Sequence, residues 1–148
     1  MTTGNARAAK PAKQIITHSE EETATVGREL AASVSAGDVL LLYGDLGAGK
    51  TAFVRGLAEG LGVSRDQVSS PTFTLIQEYR GGRLPLFHVD LYRIEDPREF
   101  DELGLDEIAE EGVLAIEWAE RLPQLPQNAV RVSITHAGDN QRTVTVKV

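Results

Sequence analysis

The chain has 148 residues, with 15 lysines and arginines against 22 acids, a net charge of −7, and no cysteine. That length suits one domain able to bury a core without staples, and the missing cysteines exclude a disulfide scaffold, an iron–sulfur cluster, a thiolate zinc site and cysteine catalysis. His18, His88 and His136 stand far apart without ligand spacing, and no apolar run approaches the roughly 20 residues of a membrane span, so a soluble, cytoplasmic protein without a histidine metal site is expected.

In chain order, residues 1–13 (MTTGNARAAKPAK) carry Arg7, Lys10 and Lys13 and no acid, and lack the apolar stretch of a secretory signal. They read as a flexible N-terminal tail, with a short organelle-targeting segment as the alternative, and residues 14–148 as a single domain. Ser19 followed by Glu22 forms a capping box, and Thr23 to Val34 places apolar residues at helical spacing. Ala36-Gly37-Asp38 is a turn, and Val39 to Tyr43 is a short apolar run ending at a glycine, as in a strand buried on both faces. From Lys50 to about Leu61 the pattern is helical again, with Phe53, Leu57 and Leu61 on one side. Strands are predicted at Phe73–Tyr79, Leu84–Asp90, Val113–Glu117, Val130–Thr135 and Thr143–Val148, the last two as an antiparallel hairpin around His136 to Arg142. Helices alternating with buried strands predict an α/β three-layer fold, its mixed sheet having a parallel core and antiparallel C-terminal strands.

The strongest chemical signal is Gly44-Asp45-Leu46-Gly47-Ala48-Gly49-Lys50-Thr51, a full match to G-x-x-x-x-G-K-[ST]. The spacing follows from the chemistry. Backbone N–H groups of the loop, Asp45 to Gly49, point inward at phosphate oxygens, and the helix that follows adds its positive N-terminal end. Lys50 would then reach the terminal phosphates and the Thr51 hydroxyl would sit on Mg²⁺. An apolar strand leads in and a helix leads out, so the motif has its context, and the fold class becomes a P-loop NTPase.

A nucleotide site also needs acids for the metal, and in open α/β sheets ligands lie beyond the carboxyl ends of the strands. Two predicted strands end in an acid, Asp90 and Glu117. Either fits a Walker B role, and pattern alone does not rank them. Ser70 and Thr72, on either side of Pro71, have the chemistry of a switch segment that senses a γ-phosphate or its Mg²⁺; an ordinary turn is the plainer reading.

Charge is concentrated. Glu95 to Glu111 holds nine acids and one base, a balance of −8 that leaves the remainder at +1. Phosphate backbones are gripped by clustered Lys and Arg, which this chain lacks. The acidic segment suits either a protein-docking surface or a solvated helical face.

Taken together, GDLGAGKT at 44–51, SPTFTL at 70–75, HVDLYR at 88–93 with Asp96-Pro97 following, and IEW at 116–118 resemble the TsaE (YjeE) family of P-loop ATPases of the tRNA threonylcarbamoyladenosine pathway. The likeness runs over about residues 14 to 135. It implies ATP and ADP as ligands, Lys50 on the phosphates, Thr51, Asp90 and Glu117 gathered at Mg²⁺, Thr72 in a segment over the nucleotide, and Trp118 beside the site. It also implies a function: supporting N6-threonylcarbamoylation of adenosine 37 in tRNAs reading ANN codons, by binding a transferase–scaffold pair and cycling it through ATP hydrolysis, with tRNA contacted only indirectly. Ala52 and Phe73 stand where many relatives have threonine and tyrosine, departures that remove no group the chemistry needs.

Two other readings use the same loop. A small-molecule kinase would show an arginine-bearing lid, whereas Arg80, Arg83, Arg93 and Arg98 are scattered; a nucleotide switch or adaptor would bind without turnover, and the N/T-K-x-D tetrapeptide of guanine-specific switches is absent.

Overall fold

Alternating burial organises the molecule. In β2 (Val39–Gly44), Leu40 and Leu42 belong to one core cluster and Leu41 to another, so the strand is apolar on both faces and needs a layer on each. The computed structural model describes residues 13–44, 48–64, 68, 76–92, 94–96, 98–99, 104–126, 128–138 and 140–147. Around β2 run β1 (Lys13–Thr17), α1 (Glu20–Ala31), α2 (Ala48–Gly60), β3 (Ile76–Tyr79), β4 (Leu86–Asp90), α3 (Leu105–Glu111), β5 (Val113–Glu117), β6 (Val130–His136) and β7 (Arg142–Lys147).

The strands form one seven-stranded sheet in the order β1-β7-β6-β2-β5-β4-β3. β4, β5, β2 and β6 are parallel to their neighbours within that run, while β7, β1 and β3 pair antiparallel. The predicted C-terminal hairpin is therefore present, with β6 also extending the parallel core. β3 adds an antiparallel pairing at the opposite edge, which the sequence pattern did not indicate. β1 was likewise not predicted, and it begins at Lys13, one residue inside the segment read as tail; residues 1–12 lie outside those described.

α1 and α2 cover one face, where Val26, Phe53, Val54 and Leu57 pack on Leu40, Leu42, Ala115 and Val132. α3 lies on the other with Leu105, Ile108 and Ala109 against Leu41, Phe87, Leu114 and Ile116. α1 starts at the predicted cap: the Glu22 N–H donates to Ser19 Oγ at 3.0 Å, while Glu22 Oε1 reaches one residue past the N-cap to accept from the His18 N–H at 2.9 Å. The two helices approach at glycine. A Cβ on Gly56 would stand 1.7 Å from the Ala24 carbonyl oxygen, so backbone meets backbone there. This contact sets the seat of α2 against α1.

Candidate functional site

β2 occupies the fourth of seven places in the sheet and ends at Gly44. Gly44 has φ +131°, and a Cβ there would lie 2.0 Å from the Ile134 carbonyl oxygen of β6, so glycine is required where the chain leaves the strand. Asp45, Leu46 and Gly47 lie outside the described residues, and the chain resumes as α2 at Ala48. Gly49, Lys50 and Thr51 thus fall in the first turn of a helix, where backbone N–H groups lack intrahelical partners and the helix dipole favours anions.

The two strand-end acids, unranked by sequence, stand at one level. β4 and β5 are parallel neighbours, and their register makes Asp90 and Glu117 direct partners at the carboxyl ends. Lys50 is buried beside Glu117, its Nζ 3.8 Å from Glu117 Oε1. The other Glu117 oxygen, Oε2, is 2.6 Å from His88 Nε2. Asp90 Oδ1 accepts from the Tyr92 N–H at 2.9 Å, and the Leu91 N–H donates to the Glu117 carbonyl at 3.1 Å, which stitches the two strand ends together. Burial holds the Asp90 carboxyl above the usual carboxylate range, with the neighbouring Glu117 charge adding to it and the Tyr92 N–H, His88 and Lys50 opposing it.

Trp118 follows Glu117 in a left-handed conformation, φ +62°, unusual for a residue with a side chain. The Lys50 ammonium lies 5.3 Å from its ring centroid. The exposed Tyr92 ring packs on it at a centroid distance of 4.9 Å, tilted by 49°, and the Arg121 guanidinium sits 5.6 Å from the Tyr92 ring while donating to the Ile94 carbonyl. The structure therefore brings together Lys50, Asp90, Glu117 and Trp118, with Thr51 next to Lys50 in the helix. Ser70 and Thr72 lie outside the described residues.

Sequence reasoning missed three groups. His88 has no ligand spacing in the sequence, and its place beside β5 depends on a register that the sequence does not display. Arg121 has no motif around it. A cleft of about 240 Å³ lies at Gly49, lined by His18, Ser19, Glu20, Thr23, Asn140 and Arg142, residues from opposite ends of the chain that pattern reading does not join.

Among the described residues no cluster of three or more His, Asp and Glu holds a metal by itself. Mg²⁺ does not require one, because it takes one or two carboxylates and keeps waters or substrate phosphates. Asp90, Glu117 and the Thr51 hydroxyl are hard oxygen donors, and a carboxyl disfavoured by burial gains from an adjacent cation. The residues present fit the ion.

The G-x-x-x-x-G-K-[ST] sequence between a buried central strand and a helix, with acids paired at the carboxyl ends of neighbouring parallel strands, defines a P-loop NTPase fold. A family model described as threonylcarbamoyl adenosine biosynthesis protein TsaE matches residues 17–144. A tRNA threonylcarbamoyladenosine biosynthesis protein TsaE of Bacillus subtilis (strain 168) is 52% identical over 127 residues, 84% of this chain and 78% of that protein. One of Treponema pallidum (strain Nichols) is 41% identical over 133 residues, 88% of this chain and 97% of that protein. The crystal structure of Bacillus subtilis YdiB superposes with a TM-score of 0.75 at 42% identity, covering 92% of this chain and 84% of that one. The chain belongs to the TsaE family of tRNA threonylcarbamoyladenosine biosynthesis proteins.

Proposed function

We propose that this chain is a Mg²⁺-dependent ATPase that supports N6-threonylcarbamoylation of adenosine 37 in tRNAs reading ANN codons, by binding a transferase–scaffold complex and cycling it through ATP hydrolysis. The observation that carries the reading is the placement of Lys50, on the helix after the glycine loop, against Glu117, the register partner of Asp90. Loop N–H groups from Asp45 to Thr51 cradle the phosphates, and Lys50 exchanges its contact with Glu117 for one with the terminal phosphate. Thr51, Asp90 and Glu117 would hold Mg²⁺, which when bound neutralises charge on the phosphate oxygens. Ser70 and Thr72 act as switch hydroxyls, engaged when partners dock, so hydrolysis by the isolated chain is slow. The cleft at Gly49 takes the nucleoside, with Arg142, Asn140 and His18 supplying polar contacts. Work on tRNA suits the cytoplasm, and none of the described helices is long and apolar enough to cross a membrane.

The test pairs ATP hydrolysis with Trp118 fluorescence. Wild type is expected to bind ATP and ADP with a fluorescence change and to hydrolyse ATP slowly, at a rate that shifts when the partner pair is added. Lys50→Ala and Glu117→Gln should lower hydrolysis by about 100-fold or more, with the circular dichroism spectrum unchanged. Hydrolysis at the wild-type rate in both variants would contradict the assignment, and phosphorylation of a small-molecule acceptor would favour a kinase.

A further inference from the structure

The two oxygens of Glu117 have separate partners. Oε1 faces Lys50, and Oε2 lies 2.6 Å from His88 Nε2. His88 is fully buried in the middle of β4, on the same face of the sheet as Leu86. An imidazole there, flanked by Leu86, Phe87 and Val89, costs free energy unless it is hydrogen-bonded, so packing alone would favour an apolar side chain. An ionised carboxylate only accepts, so Nε2 carries the hydrogen and donates it to Oε2. His88 Nδ1 faces the Tyr79 hydroxyl at 3.5 Å, and that hydroxyl donates to the side chain of Gln77, the register partner of His88 on β3.

We propose that His88 is a positioning residue: by pinning Oε2 it fixes the rotamer of Glu117 and presents Oε1 to the Lys50 side, where phosphate and Mg²⁺ are handled. His88 thereby ties the middle of β4 to the acid at the end of β5. A carboxylate free to rotate would spread over several rotamers, and only some direct an oxygen at the metal; outer partners of this sort commonly set metal affinity. The inference rests on the nucleotide reading above.

The experiment measures ADP binding calorimetrically on the full chain, in EDTA and over a Mg²⁺ series, for wild type, His88→Gln, His88→Phe and His88→Asn. Glutamine extends an amide N–H to about the reach of imidazole Nε2, whereas phenylalanine has no donor and asparagine stops an atom short. His88→Gln should hold the Mg²⁺ midpoint within about threefold of wild type, and His88→Phe and His88→Asn should raise it by about tenfold or more. ADP affinity in EDTA should be equal in all four. Should His88→Phe fail to fold by circular dichroism, the Gln and Asn pair carries the same comparison. A wild-type midpoint in the Phe or Asn variant, or an equal loss in EDTA and Mg²⁺, would overturn the proposal. Wild type lacking any Mg²⁺-dependent binding would instead overturn the functional reading and the role of His88 with it.

Discussion

Lys50 Nζ lies 3.8 Å from Glu117 Oε1, with the two side chains only 4% and 8% exposed. One residue belongs to the first turn of α2 and the other to the end of β5, so the contact joins the glycine-loop helix to the carboxyl end of an interior strand. Both charges give up hydration to make it, and the His88 contact on the second carboxylate oxygen offsets part of that cost.

A double-mutant cycle follows from that geometry. Lys50→Met leaves the Glu117 carboxylate buried with His88 as its remaining side-chain partner, and should cost about 1–3 kcal/mol in urea unfolding. Glu117→Gln strands the ammonium and should cost a comparable amount. The double variant should be more stable than the sum of the singles implies, with a coupling of about 0.5–3 kcal/mol. Strict additivity would mean that the two side chains do not interact.

Asp90 predicts a pH effect in EDTA. Its carboxyl is held above the ordinary range, chiefly by burial, so folding disfavours the ionised form. That cost is absent below the unfolded value of about 4, grows as pH rises through the interval up to the folded value, and is constant above it. Asp90→Asn keeps the oxygen that accepts from the Tyr92 N–H and removes the charge. It should melt near wild type at about pH 4 and above it at neutral pH, while losing Mg²⁺-dependent nucleotide binding. A variant melting lower than wild type at neutral pH would show that the carboxylate is stabilising.

The α1–α2 crossing gives a third expectation. At Gly56 an added methyl would overlap the Ala24 carbonyl, and at Gly27 it would come within 2.2 Å of the Phe53 carbonyl. Gly56→Ala should therefore cost about 3 kcal/mol or more, since backbone rather than a flexible side chain must yield. A loss under about 0.5 kcal/mol would show that the helices separate cheaply.

Local patterns were legible in the sequence, and relations across the chain were not. The glycine loop is contiguous, so its spacing could be read directly; the Ser19–Glu22 cap is equally local, and the Ser19 half of it is present, with the Glu22 carboxylate bonded to the His18 N–H. Asp90 and Glu117 were recognised as strand ends, but their pairing depends on β4 and β5 being neighbours, which chain order does not reveal. β1 escaped notice because Lys13 to Thr17 is a short edge strand, largely exposed, beside a basic segment. Within the acidic stretch, charge masked α3, whose three packing residues, Leu105, Ile108 and Ala109, give a faint helical spacing over seven residues. His88 looked like an isolated histidine until the register set it beside Glu117.

The most direct test is multiple-turnover formation of threonylcarbamoyladenosine on tRNA by the transferase–scaffold pair, with ATP and with either wild-type chain or Glu117→Gln. Sustained product formation with wild type, and arrest near a single turnover with Glu117→Gln despite unimpaired complex formation, is the expected result. Equal sustained product from both chains would contradict the claim that hydrolysis at the Lys50–Asp90–Glu117 site drives the cycle.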